Sequence, residues 1–97
     1  MRESVIEKYL VKEVKARGGE VRKVKWVGHR GAPDRLVMLP GLSCWVELKA
    51  TGVKAEAYQI REHNRMRRLG ENVYVIDSFE GVDALLHPVV NFEEIVS

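Results

Sequence analysis

Two apolar runs joined by Pro40-Gly41 constrain the fold of this chain more than any other feature. The first, Arg35-Leu36-Val37-Met38-Leu39, follows Gly31-Ala32-Pro33-Asp34. The second, Cys44-Trp45-Val46-Glu47-Leu48-Lys49, stops at Thr51-Gly52. Short apolar runs bounded by Gly and Pro read as strands. Pro40-Gly41 fits the two central positions of a type II turn, so the segment reads as a hairpin. If the loop has two residues, Leu39 faces Leu42, and counting back sets Asp34 opposite Glu47. Residues i and i+2 of a strand share a face, which puts Trp45, Glu47 and Lys49 on one side. Two carboxylates directly opposite each other on a sheet repel. A bound cation removes that conflict, and hard oxygen donors suit Mg²⁺ or Mn²⁺.

Around the hairpin the periodicity changes. Ile6, Leu10 and Val14 recur at helical spacing over residues 3–17, with Val11 widening the stripe. Glu7 falls inside that stripe, while Lys8, Lys12 and Lys15 take the opposite side. An acid turned toward a core needs a partner, which a nearby lysine, a backbone amide or a metal ion could supply. Arg17-Gly18-Gly19 ends the helix, and Val21 to Val27 reads as a first strand. The loop Gly28 to Pro33 then leads to Asp34, its glycines allowing close approach to a ligand and Pro33 stiffening the chain. A second helix is expected from Ala55 to Leu69, closed by Gly70, then a buried strand Val73–Ile76. A third helix is expected over Phe79 to Leu86, stopped by Pro88, with an apolar segment carrying Phe92, Ile95 and Val96 beyond it.

Ninety-seven residues make one small domain, 1–97. No apolar run reaches the roughly 18 residues of a membrane span, and no signal-peptide core is present. The single Cys44 alternates with Val46 and Leu48, so it reads as a buried structural thiol in a reducing compartment. Without a CxxC, HExxH or Walker-type loop, zinc and nucleotide cofactors have no support. The net charge of +2 conceals an uneven distribution. All 16 Lys and Arg lie within residues 1–76 with 9 of the 14 acids, a balance of +7, against −5 for the last 21 residues. Such asymmetry points to a polyanionic partner for the front portion. Lys23, Lys25, Arg30, Arg35 and Lys54, with the Arg61, Arg65, Arg68 stripe, are the candidate phosphate contacts. Phosphate contacts position a nucleic acid without reading its sequence, so recognition by shape is expected.

Asp, then Glu-x-Lys on a hairpin, resembles the PD-(D/E)xK nuclease superfamily. More closely, the chain resembles the VRR-Nuc (virus-type replication-repair nuclease) family through Glu7, Gly31-x-Pro33-Asp34, Glu47-x-Lys49 and Gln59 at the start of a helix ending in Leu69-Gly70. The likeness runs from about Glu3 to Ile76. It implies an α/β (α+β) restriction-endonuclease-like αβββαβ core, a mixed sheet flanked by helices. It further implies that Asp34 and Glu47 hold a catalytic Mg²⁺ or Mn²⁺, with the Leu48 backbone carbonyl as an extra ligand. Glu7 would hold a second ion or act through a water. Lys49 would position water or stabilise phosphate charge, and Gln59 would orient the lysine, the water or a phosphate oxygen. Glu7, Asp34, Glu47, Lys49 and Gln59 are thus the expected catalytic set.

Other readings stand beside these. Lys49 could simply pair with Glu47, and Gln59 could be a surface helix residue. His29 reads as an exposed loop residue, His63, one turn after Gln59, as a weak site candidate, and His87 as structural. The expected activity is structure-selective endonucleolytic cleavage of branched DNA, like that of Holliday-junction resolvases, in replication, recombination or repair. A flap- or nick-processing nuclease and a non-catalytic nucleic-acid-binding module are the alternatives. A four-way junction needs two symmetric cuts, so a homodimer is expected, with Leu42, Phe92, Ile95 and Val96 at its interface. The expected setting is the cytoplasm of a bacterial or phage-infected cell.

Overall fold

The hairpin forms in the computed structural model, which describes residues 1–88. Three helices, α1 (Glu3–Ala16), α2 (Ala57–Arg68) and α3 (Phe79–Leu86), flank a sheet of β1 (Glu20–Lys23), β2 (Arg35–Leu39), β3 (Leu42–Leu48) and β4 (Val73–Ile76). Leu39 pairs with Leu42, Val37 with Cys44 and Arg35 with Val46, the register expected of a two-residue loop. Gly41 has φ 77°, the value that the third position of a type II turn requires. The strand order is β1-β2-β3-β4, antiparallel except for the parallel β3–β4 pair. That parallel pair needs a crossover, and α2 provides it. The expected mixed sheet and αβββαβ order are therefore present, followed by α3.

Alternation along β2 and β3 divides the sheet into two unlike faces. Val37, Leu39, Cys44, Val46 and Leu48 point to one side, where Ile6, Leu10 and Val14 of α1 and Val82 and Leu86 of α3 close over them. Burying each such side chain contributes about 1.5–3 kcal/mol, so this is where stability originates. Tyr9 ties α1 to α3, its ring stacked on Phe79 with centroids 4.3 Å apart and its hydroxyl donating to Asp83 Oδ1 at 2.6 Å. The hydrogen bond to Asp83 pushes the Tyr9 phenol up to about 12. Cys44 is free and buried, and burial pushes its thiol up to about 11, away from nucleophilic use.

On the other face lie Leu36, Met38, Trp45, Glu47 and Lys49, all half-buried. Helix α2 packs against the β4 side of this face through Gln59, His63 and Met66. Its start is fixed by a capping box between Glu56 and Gln59. Two expectations change here. The first strand leaves regular pairing after Lys23, although Val24 N–H still donates to the Asp34 carbonyl at 2.8 Å. Strand β4 is buried only at its ends. Among the described residues it is one of the two edge strands of the sheet, β1 being the other, and Tyr74 and Val75 are each 41% exposed.

Candidate active site

Asp34 immediately precedes β2, and extending the pairing one step beyond Arg35–Val46 sets it opposite Glu47. The electrostatics agree with that placement. Burial, and then the Asp34 charge, raise the Glu47 carboxyl above the usual carboxylate range, while Lys49 pulls it back. Lys49 follows two residues later on the same face, its Nζ 3.9 Å from Glu47 Oε2. Its backbone N–H donates to the Ile76 carbonyl at 2.9 Å, so β4 holds the end of β3 in place. Leu48, between them, turns its side chain into the core.

Glu7 and Arg35 depart from expectation. Arg35 is only 5% exposed, so it cannot meet a DNA phosphate as the charge argument supposed. Its guanidinium binds the Glu7 carboxylate through Nε and Nη2. On the other side, Nη1 forms an ion pair with Asp34 Oδ1 at 2.7 Å. Burial draws the Arg35 guanidinium down, and Glu7 and Asp34 more than offset it, leaving it firmly cationic. The inward acid of α1 therefore has its partner, and that partner is Arg35. The sequence holds a usable signal for this. Arg35 shares strand parity with Val37 and Leu39, and a cation at a core-facing position must be paired.

Gln59 and His63 are also largely buried. Gln59 is 8% exposed, and its Oε1 accepts the Glu56 N–H at 2.8 Å in the capping box. His63 is 1% exposed; its ring hydrogen-bonds the Gly31 backbone, while Nε2 is buried without a partner among the described residues. Burial, then Arg67, holds the His63 imidazole below its usual range. Gly31 itself has φ 87°, and a Cβ there would lie 2.9 Å from the Tyr58 carbonyl and 3.1 Å from Gln59 Cα. The glycine thus lets the loop before Asp34 press against the first turn of α2. Its freedom serves helix packing, where approach to a ligand was expected; Gly28 has open space around it.

The remaining basic residues are spread more widely. Lys23 and Lys25 line a cleft that also includes Asp34. Arg30 stacks over the Tyr58 ring at 4.2 Å. Lys54 is exposed and borders a separate depression with Val53, Ile60 and Asp77. Arg61, Arg65 and Arg68 are exposed on α2, roughly opposite its buried Gln59, His63 and Met66, so the stripe faces away from the sheet. Arg65 is paired with Glu62 at 2.8 and 2.9 Å. His29 is exposed, with Nδ1 4.0 Å from Glu62. His87, also exposed, caps α3. Leu42 packs against the core at the hairpin turn, whereas Phe92, Ile95 and Val96 lie outside the described residues.

Among the described residues no group of three or more His, Cys, Asp and Glu side chains converges as a ready-made metal cage. Two opposed carboxylates nevertheless fit a hard divalent ion. Mg²⁺ commonly keeps several waters and takes only one or two carboxylates together with substrate phosphates. Burial, and then the nearby Asp34 charge, work against the ionised Glu47 carboxylate, and a bound cation would relieve both. Glu7 gives its Oε2 to Arg35, which also faces Asp34, so it is linked to the donor pair through that guanidinium.

No family model matches the chain. Over 92 residues it is 49% identical to "Putative nuclease p44" of Acyrthosiphon pisum secondary endosymbiont phage 1, a match covering 94% of this chain and 97% of that protein. Its structure is similar to a solved "VRR_NUC domain" with a TM-score of 0.79 and 44% identity, covering 88% of this chain and 94% of that one. With the hairpin, the paired acids and Glu-x-Lys in place, and likeness across nearly the full length of both relatives, the chain belongs to the VRR-Nuc family of nucleases, within the PD-(D/E)xK superfamily.

Proposed function

We propose that the chain is a Mg²⁺- or Mn²⁺-dependent, structure-selective DNA endonuclease of the Holliday-junction-resolvase kind, acting as a homodimer. The observation that carries this reading is the β2–β3 register, which ends at Arg35–Val46 and so brings Asp34, one residue before β2, toward Glu47, with Lys49 3.9 Å from Glu47 on the same face. Cutting a phosphodiester takes a nucleophilic water, an in-line approach and relief of charge on the phosphate and leaving oxygen. A divalent ion, when bound, supplies the charge relief and lowers the pKa of water. Asp34, Glu47 and the Leu48 carbonyl would hold it. Lys49 would bring its ammonium to the developing phosphate charge. Glu7 would act through Arg35, fixing where Asp34 points. Gln59 has committed its oxygen to the helix cap and keeps its NH₂ for a phosphate oxygen or the attacking water.

A homodimer would give a four-way junction the two sites that its two-fold symmetry needs, and the open β4 edge with exposed Tyr74 and Val75 is a surface for such a pairing. The phage origin of the relative fits action on replicating DNA in the cytoplasm of an infected cell. No helix of the described residues is long and apolar enough to cross a membrane. The test is a gel assay with and without Mg²⁺ on four-way junction, flap, nicked, duplex and single-stranded DNA. Paired cuts in the junction, lost in EDTA, are expected, and light scattering should give about twice the 11.1 kDa chain mass. Cutting of flaps alone by a monomer would replace the resolvase reading with that of a flap nuclease.

A further inference from the structure

Beside Asp34, a cleft of about 500 Å³ opens between the end of β1 and the loop before β2, lined by Lys23, Lys25, Trp26, His29 and Asp34 among others. That volume lies within the range of small-ligand sites. Its aromatic wall is held from several directions. Trp26 Nε1 donates to the Pro33 carbonyl at 2.8 Å, so the residue just before Asp34 anchors the indole. The ring leans on Trp45 with centroids 5.0 Å apart and meets His29 edge-on at 5.6 Å. Trp26 and Trp45 are only half-buried, and His29 is exposed. The apolar core lies on the opposite face of the sheet, so this cluster is not part of it.

We propose that this cleft takes one unstacked nucleobase of the substrate strand, next to the phosphate at Asp34 and Glu47, with the Trp26 indole as its stacking surface and His29, nearly perpendicular to it, bounding one side. The proposal rests on the nuclease reading for the identity of the substrate. Flat aromatic walls and cations within one cleft match a nucleotide, whose base stacks while its flanking phosphates meet Lys23 and Lys25. Stacking of this kind tolerates any base, because every base has a π face. An indole already fixed to Pro33 and Trp45 loses little freedom when a base settles on it. The cleft also supplies a reason for selection by structure. Freeing a base from a duplex costs a few kcal/mol, and least where it is already unpaired. Branch points and single-stranded ends would therefore fill the cleft more readily than intact duplex.

The experiment removes bases one at a time. Four-way junctions and single-stranded oligonucleotides, each with one abasic site, are bound in EDTA by wild type and by Trp26→Leu, and cut by both in single turnover with Mg²⁺. For wild type, one abasic position flanking the cut should weaken binding and slow cleavage roughly 5- to 150-fold, the span of base–aromatic stacking. Trp26→Leu should lose a similar factor on intact DNA, and the two losses should not add. Trp26→Phe, which keeps a ring and lacks only the N–H, should recover most of the binding. Wild-type affinity that changes less than twofold at every abasic position overturns the proposal whether or not Trp26→Leu folds. Additive losses overturn it as well. Should no DNA be cut while the position-specific binding loss appears, the base cleft stands and the nuclease reading falls.

Discussion

The two faces of the sheet are built from the same two strands and do opposite work. The face under α1 and α3 takes Val37, Leu39, Cys44, Val46 and Leu48 and closes completely. The face bearing α2 takes Trp45, Glu47 and Lys49, half-covered, with Asp34 at its edge. One-residue alternation separates them, so successive hairpin positions turn alternately to the closed core and to the half-covered face that carries Glu47 and Lys49. Burial without neutralisation is tolerated only on the second face. Close-packed apolar contacts on the first face stabilise a sheet that can carry two mutually repelling carboxylates.

The largest test of that contrast substitutes one residue on each face. Glu47→Gln or Asp34→Asn should reduce cleavage by at least about two orders of magnitude, since either change weakens a two-carboxylate donor set. The melting temperature of metal-free Glu47→Gln should not fall, because a buried charge beside Asp34 has been removed. Leu10→Ala on the dry face should do the reverse. It should cost about 2–5 kcal/mol in denaturant unfolding, while the fraction still folded cuts at close to the wild-type rate. Undiminished cutting by purified Glu47→Gln would sink the site assignment.

Arg35 breaks the division, since it is the cation that reaches from the dry face toward Asp34. If Glu7 acts through it, Glu7→Gln should cost about 1–3 kcal/mol of stability, the range for leaving a buried hydrogen-bonding group unsatisfied. Cleavage should fall less than in Asp34→Asn, with the apparent Mg²⁺ requirement little changed. A Glu7→Gln protein of full stability with no activity would instead make Glu7 a direct ligand.

Parity explains how much of this is legible in the residues themselves. The hairpin register follows from Pro40-Gly41 and a count of residues, and with it the Asp34–Glu47 opposition. The three helices follow from spacing and from Gly and Pro stops, each to within a few residues. Charge alone sends Arg35 to the DNA, although its strand parity already places it inward. Trp26 reads only as part of a strand, because its neighbours Trp45, His29 and Pro33 come together through the β1–β2 loop, which no periodicity describes. Gln59 stands in the expected order, but its bond to the cap residue Glu56 emerges only once the start of α2 is fixed. Propensity and period report local and facing neighbours; contacts made by an irregular loop fall outside both.

His63 offers a smaller effect on the polar face. Burial lowers its imidazole below the ordinary value of 6.5, so the unfolded chain binds that proton more readily. Its contribution to stability is present above about pH 6.5 and is lost as the pH falls through the lowered folded value. Glu47, raised in the folded state, works in the other direction, losing stability as pH rises through its own folded value. Denaturant midpoints from pH 7.5 to 5 should therefore decline more steeply for wild type than for His63→Gln. Parallel profiles for the two proteins would show that the buried ring does not titrate in this window.

The smallest effect belongs to the outer surface of α2. Arg61, Arg65 and Arg68 point away from the sheet, so any DNA they meet is an arm passing over the helix, remote from the phosphate being cut. Arg65 is tied to Glu62 by two hydrogen bonds and must give those up to bind phosphate, whereas Arg61 and Arg68 have no such partner to leave among the described residues. Neutralising Arg61 and Arg68 should flatten the salt dependence of binding by about 0.9 log unit for each B-DNA phosphate that either arginine neutralises in the wild type. Neutralising Arg65 should change it less. All sequences should be affected alike, because phosphate contacts carry no base information, and cleavage at saturating DNA should be unaltered. The matching substitution of Lys23 and Lys25 should lower cleavage even at saturation, because those lysines line the same cleft as Asp34. If the two sets behave identically, the basic residues form one undivided surface, and the distinction between a gripping helix and a reacting cleft disappears.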